Sequence, residues 1–206
     1  MIEAVIFDVD GVMIDSLESN AEFFSELFNK TGHEPLTAEQ YRPYFHHNMK
    51  KVIQLHTSIE DEEEINRIWE LGKNLVVRDR SFPSAMPDLE KTIIELSKNY
   101  RLGIVTSRIR DSIFKIPDLV AMQNYFKVVV AYEDTDKHKP DPTPLLLAGK
   151  KLGILPENCV YVGDTHVDVQ AAKSAGMKSI LFAQHNAFSA DASTDQLAKL
   201  PEIIKG

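Results

Sequence analysis

Aspartates and one lysine carry the chemical content of this 206-residue sequence. Near its start, Ile2-Glu3-Ala4-Val5-Ile6-Phe7 leads into Asp8-Val9-Asp10-Gly11-Val12. The apolar run predicts a short buried strand, since it is too short for an ordinary helix. In extended backbone, positions i and i+2 point the same way, so Asp8 and Asp10 lean from the strand end toward one spot. Two like charges so placed repel unless a cation or a proton joins them. A divalent metal with chemistry beside it answers that requirement. An Asp-Gly turn without chemistry is the plainer alternative.

Three further segments follow in order. Gly103-Ile104-Val105-Thr106-Ser107-Arg108 reads as a strand ending in hydroxyl residues. A helix start there would offer an OH and free backbone N–H groups to an anion, or Thr106 is an ordinary helix cap. In Lys137-His138-Lys139-Pro140-Asp141-Pro142, Lys139 stands just before a proline-opened helix. That is a place for a fixed positive charge or for a solvated lysine, and His138 reads as a surface residue. In Val160-Tyr161-Val162-Gly163-Asp164-Thr165-His166-Val167-Asp168, a strand delivers Asp164 at its tip. Asp168 follows one turn later on the next helix. Capping accounts for either aspartate alone, but not for both together with Gly163.

The elements that position these residues are legible from periodicity. Helical spacing covers 17–30, with Leu17, Ala21, Phe24, Leu27 and Phe28 on one face. Thr37 caps a short helix, 48–56 suggests another, and Ser58 or Glu60 starts a long one running to about Arg80. Its acidic first turn, Glu60 to Glu64, reads as a solvated face that favours a helix N-terminus. Two prolines break the chain at 81–87. Beyond them helices and strands alternate: helix 88–99, strand 100–106, strand 126–131, helix 142–152, strand 159–163, helix 167–175, strand 178–182 and a last helix over 190–204. Alternation of this kind predicts an α/β fold, a Rossmann-like parallel sheet with helices on both faces. The all-helical stretch becomes an inserted cap, with the core at 1–15 and 83–206 and the cap at 16–82. Ligands of open parallel sheets sit beyond the carboxyl ends of the strands, where Asp8, Thr106 and Asp164 all fall.

Composition narrows the class. The chain is 43% apolar and 26% charged, with a formal net charge of −8, ordinary for a globular protein. An acidic chain has no general attraction to nucleic acid or anionic membrane, so neither is expected as a partner. Cys159, the single cysteine, lies in a predicted core strand and reads as a small buried apolar residue. No run approaches membrane-spanning length and no basic-then-apolar leader opens the sequence. A cytoplasmic, soluble protein, monomer or homodimer, is the expectation.

The four segments together resemble the haloacid dehalogenase superfamily, and within it the aspartate-nucleophile phosphatases. Asp8-Val9-Asp10-Gly11-Val12 matches that family's first motif, Thr106-Ser107 the second, Lys139-Pro140 the third, and Gly163-Asp164 through Asp168 the fourth. Order and intervening lengths agree over nearly the whole chain. The resemblance implies Asp8 as nucleophile and Asp10 as general acid and base. It implies Mg²⁺ held by Asp8, the Asp10 carbonyl and Asp164, with Asp168 as a further ligand or holding a metal-bound water. Thr106 and Ser107 would bind the phosphoryl oxygens, and Lys139 would offset charge. The implied partner is a small phosphorylated metabolite.

Asp10 discriminates within the superfamily, because a halide leaving group needs no proton and an ester oxygen does. Gly11 to Ser16 resembles the lead-in to a helical cap of the phosphoglycolate phosphatase, pyrophosphatase and β-phosphoglucomutase type. Asn20 stands where the mutases usually carry a histidine, which favours a hydrolase over the alternative of a phosphosugar mutase. A phosphate- or metal-binding module without turnover is the other alternative, set against by the presence of Asp8, Asp10, Lys139 and Asp164. In the cap loop the sequence departs from its relatives, with Arg42 followed by Pro43-Tyr44-Phe45-His46-His47. Either Arg42, His46, His47 and Lys50 read the substrate's leaving group, or they are cap-packing residues. Arg108 is left between substrate contact and solvent.

Overall fold

A computed structural model describes residues 1–75 and 83–206. Contacts divide the chain into two compact units, Met1–Asp15 with Ser84–Gly206, and Ser16–Pro83. The strands are β1 Ala4–Phe7, β2 Ile14–Asp15, β3 Ser84–Ala85, β4 Arg101–Val105, β5 Phe126–Val130, β6 Cys159–Gly163, β7 Lys178–Phe182 and β8 Ala192–Thr194. The helices are α1 Leu17–Lys30, α2 Ala38–Tyr41, α3 Met49–Thr57, α4 Glu62–Lys73, α5 Leu89–Ser97, α6 Arg110–Ile113, α7 Pro117–Met122, α8 Thr143–Leu152, α9 His166–Ala175 and α10 Leu200–Lys205.

The first unit is built on a six-stranded sheet in the order β5-β4-β1-β6-β7-β8, parallel throughout. After β1 the chain builds outward on one side through β4 and β5, then on the other through β6, β7 and β8. The switch point lies between β4 and β6, at β1. Alternate residues of each strand feed two cores. Val5, Phe7, Leu102, Ile104, Val160 and Val162 pack on one face. Ala4, Ile6, Val105, Cys159 and Tyr161 pack on the other, with α8 and α9 residues such as Leu145, Ala148, Ala171 and Ala172. Burial on both faces explains why these strands read as continuous apolar runs. Cys159 is buried, as expected. The short pair β2–β3 is antiparallel, Ile14 opposite Ala85 and Asp15 opposite Ser84, so the chain leaves and re-enters the first unit side by side.

The second unit packs Phe24, Leu27, Phe28, Tyr41, Val52, Ile53, Ile65 and Ile68 into its own core. Its helices start at polar caps: Thr37 and Gln40 form a capping box, Asn48 accepts from the Lys51 N–H and Asp61 from the Glu63 N–H. Each satisfies a backbone donor that the first turn leaves open.

Two expectations are corrected. The helix expected from Ser58 or Glu60 to about Arg80 spans Glu62–Lys73. Ser58 is instead the left-handed C-cap of α3, at φ 58°, and Asn74 closes α4. The remainder of that expectation, 76–80, and the first part of the proline break, 81–82, lie outside the described residues. The tail is not one helix over 190–204: Ala192–Thr194 pairs with β7 as an edge strand, and Pro201 opens the short α10 near its first turn, where a missing N–H costs nothing. The stretch after β4 holds two short helices, because Ile116 is extended and Pro117 begins α7, as a residue before proline prefers. Among the described residues no helix is long and apolar enough to cross a membrane.

Phe28 has no exposed surface. Phe28→Ala should destabilise the protein by about 3–5 kcal/mol, read by urea unfolding followed through the fluorescence of Trp69, the single tryptophan, which packs against the same core.

Candidate active site

Three strand ends meet at the carboxyl edge of the sheet. Asp8 follows β1, Thr106 follows β4, and Asp164 follows β6. Strand pairing fixes their level: Phe7 is opposite Ile104 and Val162, and the Asp8 N–H donates to the Val162 carbonyl. Lys139 reaches the same edge from the loop before α8. Its Nζ donates to Asp8 Oδ2 at 2.7 Å, Asp168 Oδ1 at 2.7 Å and the Tyr161 hydroxyl at 2.9 Å. These three acceptors match the three donors of an ammonium. Burial works against the charge of Lys139, but the Asp168 and Asp8 carboxylates outweigh it and hold the ammonium well above its usual range.

The carboxylates are crowded. Asp8 is 8% exposed, and its Oδ1 accepts the Val9 N–H at 2.7 Å. Burial pushes its pKa up to about 6, with Lys139 opposing and Asp168 and Asp10 adding to the rise. Asp164 lies well above the usual carboxylate range, again through burial first and then through Asp168 and Asp8. Asp168 is 1% exposed. Its Oδ1 holds Lys139, and its Oδ2 accepts from the Thr165 N–H and hydroxyl in the capping box that starts α9.

Two glycines permit this crowding. Gly11 has φ +73°, and a Cβ there would stand 2.1 Å from Asp164 Oδ2. A Cβ on Gly163 would stand 2.3 Å from the Asp168 Cβ. Neither contact is possible for a larger residue without moving an aspartate.

Ligand oxygens of Asp8, Asp164 and Asp168 all lie within 4.8 Å of one another. Asp10, the fourth carboxylate of this edge, is taken by Arg108, whose Nε and terminal nitrogen donate to Asp10 Oδ2 and Oδ1 at 2.7 Å each. Four carboxylates thus face two cationic side chains. The surplus negative charge in a buried, all-oxygen donor set fits a hard divalent cation.

Thr106 is 5% exposed, and its Oγ1 accepts the Arg108 N–H at 3.2 Å. The helix expected directly after it begins only at Arg110 and is four residues long, so Thr106 and Ser107 lie on a turn. Arg42, His46 and His47 fall in the second unit. Arg42 opens a single 3-10 turn, and the His46 and His47 rings lie 3.9 Å apart. Lys50 lies over the Trp69 ring at 4.6 Å. His138 stacks on Tyr132 with centroids 4.1 Å apart.

Two residues of this edge carried more than the sequence reading assigned. Arg108 is not solvated: its side chain is 11% exposed and paired with Asp10. Tyr161, expected only as a strand residue, also serves this edge. Its hydroxyl donates to the Val105 carbonyl at 3.0 Å, which leaves a lone pair for Lys139. The signal was a phenol inside a strand otherwise made of small and aliphatic residues, since a buried hydroxyl seeks a partner.

The raised pKa of Asp164 means that the folded protein bears a cost for ionising it, present above the ordinary carboxylate pKa and relieved as pH falls. Asp164→Asn removes that cost. In EDTA at pH 8 the variant should be more stable than the parent, read from denaturant midpoints, with the advantage shrinking toward pH 4.

Comparison with known proteins agrees with this geometry. Residues 5–182 match the haloacid dehalogenase-like hydrolase family. The phosphoglycolate phosphatase of Aquifex aeolicus is 27% identical over 178 residues, covering 86% of this chain and 83% of the relative. Pyrophosphatase PpaX of Bacillus velezensis is 28% identical over 182 residues, covering 86% and 82%. The crystal structure of β-phosphoglucomutase from Clostridium difficile superposes with a TM-score of 0.80 at 22% identity, over 100% of this chain and 96% of that one, a likeness of fold. With the family's match running through Asp8, Thr106, Lys139 and Asp164, this chain belongs to the haloacid dehalogenase-like hydrolases.

Proposed function

We propose that this hydrolase is a Mg²⁺-dependent phosphatase that cleaves a small phosphomonoester through an aspartyl phosphate on Asp8. The observation that carries the reading is the triple engagement of Lys139. A buried ammonium on Asp8 Oδ2 orients the carboxylate and offsets the repulsion between it and an incoming phosphate dianion.

In the first step an Asp8 oxygen attacks phosphorus, the ester P–O bond breaks, and Asp10 gives its proton to the leaving oxygen. In the second step Asp10 takes a proton from water as the water oxygen attacks phosphorus. The bond between the Asp8 oxygen and phosphorus then breaks, releasing inorganic phosphate and restoring Asp8 as the carboxylate and Asp10 as the protonated acid. Thr106 and Ser107 hold phosphoryl oxygens. Asp8, the Asp10 carbonyl and Asp164 would hold Mg²⁺, with Asp168 closing the acidic side and keeping Lys139 in place. Bound Mg²⁺ supplies charge neutralisation between these carboxylates and the phosphate.

The reading extends to the two units. Residues 1–15 and 83–206 are the catalytic core, and 16–82 are a lid that closes over small substrates and excludes water, with Arg42, His46 and His47 as its substrate-reading side chains. Asn20, whose amide donates to Ser16 Oγ at 3.3 Å, cannot take up a proton as a histidine does, which supports hydrolysis over mutase chemistry. The names of the relatives suggest phosphoglycolate or pyrophosphate as first substrates to try.

Phosphate release from a panel of small phosphomonoesters and pyrophosphate tests the proposal. Asp8→Asn should lose activity by more than about 10⁴-fold, since it removes the nucleophile itself. Asp10→Asn should lose about 10²–10⁴-fold on alkyl phosphates and less on p-nitrophenyl phosphate, whose leaving group needs no proton. EDTA should abolish turnover and excess Mg²⁺ restore it. Wild-type release that persists unchanged in EDTA, or in Asp8→Asn, overturns the mechanism.

A further inference from the structure

Arg108 places Nε and one terminal nitrogen on the side chain that the proposed mechanism uses as acid and base. Both bonds to Asp10 are 2.7 Å, and the pair is shielded, with side chains 11% and 19% exposed. The Arg108 backbone N–H also donates to Thr106 Oγ1, so this guanidinium is tied to the turn proposed to hold the phosphoryl group. Arg108 holds both oxygens of the Asp10 carboxylate. And since Asp10 must reach the leaving oxygen, whatever lies beside its carboxylate lies on the leaving-group side of the substrate.

A guanidinium fork matches a carboxylate or a phosphate in the same bidentate way. We propose that Arg108 reads a second anionic group on the leaving-group side of the substrate, exchanging Asp10 for that group and thereby releasing Asp10 to the leaving oxygen. The inference rests on the phosphatase reading for its roles and deepens it by naming the substrate class, small phosphomonoesters or diphosphates with a second anion close to the bridging oxygen. The exchange keeps the shielded guanidinium paired throughout, avoiding the large cost of a buried unpaired charge. A substrate without a second anion offers nothing in return for breaking the Arg108–Asp10 pair, so the same device discriminates against simple alkyl phosphates.

Calorimetric titration with phosphonates that cannot turn over tests this in Mg²⁺ buffer. Methylphosphonate carries no second anion, phosphonoacetate adds a carboxylate, and methylenebisphosphonate adds a second phosphonate. The quantity read is the ratio of affinities to methylphosphonate. In the wild type the better of the two probes with a second anionic group should bind about 10–100-fold more tightly, as expected for charged hydrogen bonds, and which one wins identifies the second anion. Arg108→Ala should bring the ratio below about threefold. Arg108→Lys, a point charge without a fork, should lower it at least about threefold and decides the matter if the alanine variant fails to fold. Asp10→Asn removes the competing carboxylate and should raise the ratio about threefold or more. A wild-type ratio near one, or a ratio unmoved by the Arg108 variants, overturns the subsite. A ratio unmoved by Asp10→Asn overturns the exchange. Because no probe is hydrolysed, an intact ratio supports the subsite even where no ester releases phosphate.

Discussion

The ammonium of Lys139 is the interaction on which the arrangement of this edge depends. Asp8, Asp164 and Asp168 come from the ends of two strands and the first turn of a helix, and all carry the same charge. Left to themselves they repel, and burial makes each more costly to ionise. Lys139 joins Asp8 to Asp168 at 2.7 Å on either side, and Tyr161 fills its third donor direction. Buried ion pairs add little net stability, but breaking one leaves an uncompensated charge and is costly. The pairing therefore acts as a constraint: once the sheet brings the aspartates together, the loop carrying Lys139 has one place to go. Tyr161 passes the same constraint to β4, since its hydroxyl donates to Val105, the residue before Thr106.

The sheet supplies the convergence. A parallel sheet whose chain turns back at β1 leaves a crevice at the carboxyl ends of the central strands. Asp8, Thr106 and Asp164 open onto it because β4, β1 and β6 are neighbours in level register. Side-chain parity then assigns faces. Ile6 and Tyr161 are register partners on the face packed by α8 and α9, and Asp8, two residues after Ile6, continues that face toward Lys139. The glycines complete the convergence, for the aspartates approach neighbouring backbone more closely than any side chain at 11 or 163 allows.

Much of this was readable from residue order. Continuous apolar runs located β1, β4, β5, β6 and β7, because strands buried on both faces need no polar alternation. The heptad-like spacing of Phe24, Leu27 and Phe28 located α1. Errors fell where local signals compete. The β8 segment, Ala192-Ser193-Thr194, has no apolar pattern of its own and is a strand because β7 offers an open edge. The α4 boundary moved because Ser58 adopts a left-handed cap that no spacing rule reveals. Among the candidate site residues, Asp8, Asp10, Thr106 and Asp164 stand out in the sequence at or just after strand ends, Lys139 before a proline-opened helix and Asp168 one turn into the next helix. The partnerships of Arg108 and Tyr161 were not found.

The sequence by itself determined the alternation of strand and helix, the carboxylates at alternate positions after β1 and the glycines beside them. These depend on neighbours within a few residues, where backbone geometry dictates which side chains share a direction. Only the tertiary structure decided that Arg108 clamps Asp10 across 98 positions and that Tyr161 holds Lys139 across 22. Such pairs arise when strands distant in the chain are brought side by side, and a charged or phenolic group then settles on whichever partner the packing places within hydrogen-bond reach.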